Sequence, residues 1–235
     1  MAIYALADPH LSFSTDKPMD IFGERWKNHD IRISSAWKET VKEEDTVIIP
    51  GDISWAMTLQ EVIPDLRFLH ELPGRKIISK GNHDYWWGTM GKLEKLVEEQ
   101  GFFSLSFLKN NAYVAEDTVI CGSRGWIHPE DPDFTEADKT IYDRELGRFR
   151  RSLMEGKALR EESSRRMIAV LHYPPMLRTS MQTEFTELLY EFSVDVCIFG
   201  HLHGLGIKRA FEGTQNGTEY RLTSADHLSF KPLRL

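Results

Sequence analysis

Short apolar runs rich in β-branched residues alternate with longer stretches whose apolar positions recur every three or four residues. Residues 3–7 (Ile-Tyr-Ala-Leu-Ala) form the first run and end at Asp8. Residues 11–24 carry Ser, Thr, Pro, Gly and mixed charge, and read as a loop. Trp26, Ile33, Trp37 and Val41 then recur at helical spacing. Val47-Ile48-Ile49 predicts a second strand, closed by Pro50-Gly51-Asp52. Thr58-Leu59-Gln60-Glu61 has the form of a capping box, and Leu59, Val62, Leu66 and Leu69 continue as a helical face. Pro64 falls within that face and predicts a kink or a delayed start. Pro73-Gly74 stops the helix, and an apolar run to Ser79 leads into Gly81-Asn82-His83-Asp84. Met90, Leu93, Leu96 and Val97 predict a third helix, stopped at Gly101.

This rhythm predicts an α/β (α+β-like) fold built on a parallel-type sheet covered by helices. Beyond it, residues 103–108, 113–115 and 118–121 predict strands, with turns at Asn110-Asn111 and Glu116-Asp117. Residues 122–166 read as a polar insertion: a loop at Pro129-Glu130-Asp131-Pro132, then a charge-dense helix over 136–165. Strands at 167–171 and 194–199 flank a helix at 184–192, and the tail predicts short strands at 206–211, 220–223 and 228–233. With no repeat, low-complexity tract or linker, one domain over 1–235 is expected.

Hydrophobic content of 41% and charged content of 28% describe an ordinary globular protein. A formal charge of −7 argues against anionic membrane and extended duplex nucleic acid, though cations in a cleft can invert the local potential for a phosphate-bearing substrate. Cys121 and Cys197 each sit in an apolar run and read as buried hydrophobes in a reducing compartment. The N-terminus has no basic, signal-like start, and no apolar run approaches the roughly 18 residues of a spanning helix. A cytoplasmic protein is expected.

Five polar patches end apolar runs: Asp8-Pro9-His10, Gly51-Asp52, Gly81-Asn82-His83-Asp84, His172 and Gly200-His201-Leu202-His203. In open α/β sheets ligands bind outside the carboxyl ends of strands, so distant segments can converge on one crevice. Asp8 and His10 are two apart, as are His201 and His203, and in extended chain such pairs face one way. Asp8, His10, Asp52, Asn82, His172, His201 and His203 offer more donors than one ion uses. Two ions sharing the Asp52 carboxylate would use them. Nitrogen and oxygen donors without thiolate favour Mn, Fe, Zn or Ni.

The order D-x-H, G-D, G-N-H-D, H, G-H-x-H, running from residue 8 to 203, resembles the calcineurin-like metallophosphoesterase superfamily. The resemblance implies two mixed sheets packed as a sandwich and flanked by helices. It implies a first divalent ion on Asp8, His10, Asp52 and His203, and a second on Asp52, Asn82, His172 and His201. It further implies His83 as the proton donor to the leaving group, with Asp84 orienting its ring. A hydroxide bridging the two cations would attack phosphorus. After Gly-Asp this chain reads Ile53-Ser54-Trp55-Ala56-Met57, without the arginine of the protein Ser/Thr phosphatases. The bacterial phosphodiesterases and nucleotidases are nearer by motif.

A nucleotide-like or other small phosphodiester or phosphomonoester is therefore the expected substrate. A single-strand nuclease is the alternative, and a non-catalytic scaffold is disfavoured by the full donor set. Trp55 and Trp126 can stack on a base or sugar and Arg124 can reach a phosphate, while His128, in the insertion beside Pro129, is a lesser candidate for substrate contact. Residues 148–166 hold seven basic and three acidic side chains and read as a solvated helix face.

Overall fold

The computed structural model describes residues 1–161 and 165–235. They form two compact units, residues 1–107 with 223–235, and residues 108–222. The first unit contains β1 (Ile3–Ala5), α1 (His29–Thr40), β2 (Thr46–Pro50), α2 (Ile63–Glu71), β3 (Arg75–Ser79), α3 (Met90–Gln100) and β4 (Leu105–Leu108). The second contains β5 (Ala112–Ala115), β6 (Thr118–Gly122), α4 (Glu136–Glu161), β7 (Arg166–Val170), α5 (Glu184–Glu191), β8 (Val196–Phe199), β9 (Gly213–Gln215) and β10 (Thr218–Leu222). The chain then returns to the first unit for β11 (Leu233–Arg234).

In the first unit the strand order is β11-β1-β2-β3-β4. Strands β1, β2 and β3 run parallel, and β11 runs antiparallel to β1. Ala5 lies opposite Ile48 and Pro50 opposite Ser79, so the three strands deliver their carboxyl ends to one edge. Ile33 and Trp37 of α1, Leu66 and Leu69 of α2, and Leu93 and Leu96 of α3 form a core with Val47, Ile49 and Ile78. Helix α2 resolves the choice posed by Pro64 as a delayed start. The expected capping box forms, with Glu61 N–H on Thr58 Oγ1 at 3.2 Å and Thr58 N–H on Glu61 Oε2 at 3.2 Å, but it closes a turn ahead of the helix. Pro64 then occupies the first helical turn, where its missing N–H has no partner to lose.

The second sheet has the order β5-β6-β7-β8-β10-β9. Its four central strands are parallel, with antiparallel strands at both edges. Helix α4 contributes Tyr142, Phe149 and Leu153 to a core with Cys121, Ala169, Leu189 and Cys197. Two of its basic side chains form ion pairs with neighbouring segments: Arg150 with Glu191 at 2.7 Å and Arg160 with Asp195 at 3.0 Å. Residues 162–164 of the helix expected over 136–165 lie outside the described residues. Helix α5 is capped by Thr183, whose Oγ1 accepts the Thr186 N–H at 3.1 Å.

Two tail strands are corrected. Residues Gly204–Arg209 form a 3-10 helix where a strand was expected over 206–211; Leu205 is exposed, so the run has no alternating face to bury. Most of 228–233 is turn rather than strand, because Ser229 and Phe230 take left-handed backbone angles of φ 54° and 67°. The class is α/β with two mixed sheets flanked by helices, as expected. Among the described residues no helix is long and apolar enough to cross a membrane.

Candidate active site

In the first unit the ends of β1 and β2 are joined beyond the sheet proper. Asp8 N–H donates to Gly51 O at 3.0 Å, His10 N–H to Asp52 O at 3.0 Å, and Leu11 N–H to Ile53 O at 2.9 Å. This pairing places Asp8, His10 and Asp52 together, all buried. His10 Nε2 lies 3.8 Å from Asp52 Oδ2. Their backbone is not extended: φ is 57° at Asp8, 46° at His10 and 50° at Asp52. The i,i+2 argument for Asp8 and His10 is thereby corrected, since the two side chains are set by a left-handed loop rather than by strand alternation. Three non-glycine residues in this region within one loop pair is local strain of the kind that collects at functional sites.

The third loop, after β3, is locked onto the second. Asp52 Oδ1 accepts the His83 N–H at 2.8 Å. Gly81 makes the approach possible: a Cβ there would stand 2.1 Å from Asp52 Oδ1 and 2.2 Å from Asp52 N. Asn82 and His83 are half-buried. The His83 ring lies 5.7 Å from the His10 ring and 4.3 Å from Trp55, and Trp55 stacks on His10 at 5.2 Å.

Asp84 does something other than orient the His83 ring. It is fully buried, and its carboxylate accepts N–H bonds from Ile53 (2.9 Å), Ser54 (3.2 Å), Gly81 (2.8 Å) and the Trp86 indole (3.0 Å). It therefore fastens the loop that carries Asn82 and His83 to the loop after Asp52. Burial, and then the nearby Asp52 carboxylate, push its pKa up to about 7 against the pull of those N–H donors. His29, the first residue of α1, also supports the site: its Nε2 lies 3.3 Å from the His10 carbonyl oxygen. No sequence pattern marks that contact.

The second unit carries its donors on neighbouring parallel strand ends. His172 follows β7 and is fully buried; its N–H and that of Tyr173 both donate to Arg124 O, at 2.9 and 3.0 Å. Gly200 N–H donates to His172 O at 3.0 Å, which brings the turn after β8 alongside. The His172 and His201 rings meet edge-on at 5.1 Å, and Tyr173 lies 4.2 Å from His201. His201 is left-handed at φ 71°, whereas His203 is extended at φ −123°, so the i,i+2 reading is corrected here as well.

The Arg124 guanidinium lies 4.2 Å from the Trp126 ring and 3.3 Å from Glu145 Oε1, the latter also paired with Arg148. Trp126 donates to Asp138 Oδ1 at 3.0 Å and packs against Tyr173. Both candidate substrate residues thus already serve within the fold. His128 is buried, and its Nδ1 accepts the Glu130 N–H at 3.0 Å, which leaves the ring proton on Nε2.

A model of calcineurin-like phosphoesterases matches residues 1–205, and so contains every one of these loops. The chain belongs to the calcineurin-like phosphoesterase family. Two phage proteins are similar over short stretches: the Gene 66 proteins of Mycobacterium phage L5 (41% identical over 58 residues, 25% of this chain) and phage D29 (42% over 57 residues, 24% of this chain). These matches span 28% of the length of either phage protein. Among solved structures, this chain is similar to a protein of unknown function from Aquifex aeolicus, with a TM-score of 0.51 and 19% identity over 99% of this chain and 95% of that one. It is also similar to phosphopantetheinyl hydrolase from Mycobacterium tuberculosis, with a TM-score of 0.55 and 12% identity over 100% and 95%. At such identities these likenesses speak for the fold alone.

The donors of this family member fit divalent cations. In the first unit two carboxylates, Asp8 and Asp52, are buried on paired loops beside the His10 imidazole. Such a concentration of buried negative charge is what a divalent ion offsets. The thiols do not compete for it: Cys121 lies within β6, burial pushing it up to about 12, and Cys197 is likewise buried and raised.

Proposed function

We propose that this chain is a divalent-metal-dependent phosphoesterase that hydrolyses a small phosphodiester or phosphomonoester. Asp8, His10, Asp52 and His203 would hold one ion, and Asp52, Asn82, His172 and His201 the other. Such ions supply Lewis acidity toward phosphoryl oxygens and a water acidic enough to react near neutral pH. His83 donates the proton that the leaving oxygen needs, and Asp84 acts through the backbone to hold it in place. The observation that carries this reading is the bond from His83 N–H to Asp52 Oδ1, which ties the proton donor to the carboxylate assigned to both ions. Membership of the family supports the reaction class. The net charge of −7 favours a small substrate over an extended duplex, and two buried free thiols suit a cytoplasmic setting.

The test uses a chromogenic phosphodiester with manganese. Asp52→Asn and His83→Ala should each lower kcat by about 100-fold or more. Only Asp52→Asn should also lower the metal content of the purified protein. Equal metal loss in the two variants would contradict the roles assigned, and undiminished turnover in either would remove that residue from the mechanism.

A further inference from the structure

Beside His83, wholly within the first unit, lies an open cleft of about 630 Å³ lined by Lys17, Phe22, Trp55, Met57, His83 and Tyr85, together with Thr15 and Asp16. The volume is that of a small-molecule site. Its walls are aromatic and unusually exposed: Phe22 is 55% exposed and Tyr85 57%, with Met57 at 60%. Large apolar side chains gathered in this way around a cleft mark a binding surface more often than chance exposure. The Phe22 and Trp55 rings are nearly parallel, 10° apart, with centroids at 6.5 Å. Trp55 is fixed from behind by its N–H on Met19 Sδ at 3.2 Å and by the stacked His10 ring, so it forms a rigid floor.

One cation belongs to this cleft. Lys17 Nζ stands 4.7 Å from the Trp55 ring and 5.8 Å from Phe22, and among the described residues it makes no ion pair. The loop that presents it is held by Ser12 Oγ on Lys17 O at 3.1 Å and by Phe13 N–H on Asp65 Oδ1 at 2.9 Å. A purely aliphatic ligand would leave that ammonium without a partner. A simple sugar phosphate would leave the exposed Phe22 and Tyr85 rings without a partner. A planar ring carrying an anion uses both.

We infer that this cleft receives the leaving group of the substrate and that the leaving group is a nucleotide, its base against Phe22, Trp55 and Tyr85 and its phosphate at Lys17. The inference rests on the proposed role of His83 as proton donor, because a group departing toward His83 departs into this cleft. Water forms the new P–O bond, the ester P–O bond to a nucleotide sugar oxygen breaks, and that oxygen takes the proton from His83, so the substrate narrows to phosphodiesters that release a nucleotide carrying its own second, unreacted phosphate.

The test is calorimetric titration of the 235-residue chain in EDTA, so that binding is read without metal and without turnover. AMP should bind at least about tenfold more tightly than ribose 5-phosphate, the difference expected of one stacked base. It should also bind more tightly than adenosine. Phe22→Ala and Tyr85→Ala should each weaken AMP binding by about tenfold, and Lys17→Gln should abolish the preference for AMP over adenosine. All three side chains lie at the cleft surface, and melting curves would verify that the variants remain folded. Equal affinity for AMP and ribose 5-phosphate, or AMP affinity unmoved by all three substitutions, would overturn the inference. Loss of the manganese-dependent diesterase assay with nucleotide binding intact would instead count against the proposed reaction.

Discussion

Gly81 shows how much of this molecule turns on single atoms. Its α-carbon sits where a methyl group would overlap both the side chain and the backbone nitrogen of Asp52. Neither can retreat, because Asp52 O accepts from His10 N–H and Asp52 Oδ1 accepts from His83 N–H. Gly81→Ala should therefore destabilise the protein by about 1–3 kcal/mol, as overpacking does. Gly147, inside α4 with open space around its Cβ position, should respond in the opposite sense: Gly147→Ala should stabilise by about 0.5–1 kcal/mol. Urea unfolding of both variants measures the contrast, and a stable Gly81→Ala would mean that the two loops are not locked together. The residue types in these loops were legible from the chain. Asp8, Asp52 and the Asn82-His83 pair each stand where an apolar run stops. Their backbone angles were not legible, because left-handed Asp and His have no sequence signature of the kind glycine has. Nor was the role of Asp84, whose partners in the second loop are the amides of Ile53 and Ser54, thirty residues away.

Elements were legible where period and punctuation agree. The helices α1, α2 and α3 appear where apolar spacing of three to four residues ends at a turn or a glycine. The tail failed that test, since isolated residues such as Leu205 and Ile207 carry no period long enough to separate strand from 3-10 turn. A subtler miss joins α2 to β3. Lys76 lies in a strand yet is fully buried, a rare place for lysine. Its ammonium donates to the carbonyls of His70 (3.3 Å), Leu72 and Gly74 (2.7 Å), and to Ser104 Oγ at 3.3 Å, and so caps the end of α2. Positive charge at a helix C-terminus is favourable, and without it these carbonyls lose their donor. Lys76→Met should cost about 1–3 kcal/mol in urea unfolding at pH 7. Burial holds the amine down to about 8, with Glu43 opposing, against an ordinary value of 10.5. The unfolded chain then binds more protons between those values, so the stability linked to Lys76 is complete above 10.5 and is lost as pH falls through 8. The difference between wild type and Lys76→Met should accordingly widen from pH 8 to pH 10. A flat difference would place the pKa elsewhere.

At the scale of the whole molecule, the chain leaves its first unit after residue 107, builds the second, and returns for residues 223–235. That return lies beyond the 205 residues matched by the family model, yet it completes the sheet on which Asp8 depends. β11 pairs with β1, Ala7 N–H donates to Thr223 O at 2.7 Å, and Ala225 N–H donates to Ala7 O at 3.0 Å. The residue just before Asp8 is thus clamped on both polar groups by the last stretch of the chain. Phe230 secures the clamp. It is almost completely buried, meets Trp26 edge-on at 5.2 Å, lies under the Arg32 guanidinium at 4.2 Å, and holds a left-handed backbone that a bulky residue adopts only at a cost. Packing of the ring must exceed that strain, which makes the ring the tie rather than the two-residue strand. Phe230→Ala should cost about 3–5 kcal/mol by the cavity it leaves. Amide exchange should locate the loss: β1 and the loop after it should lose protection before α4 and α5, whose core lies in the other unit. Uniform loss of protection across both units would show instead that the whole chain unfolds as one cooperative body.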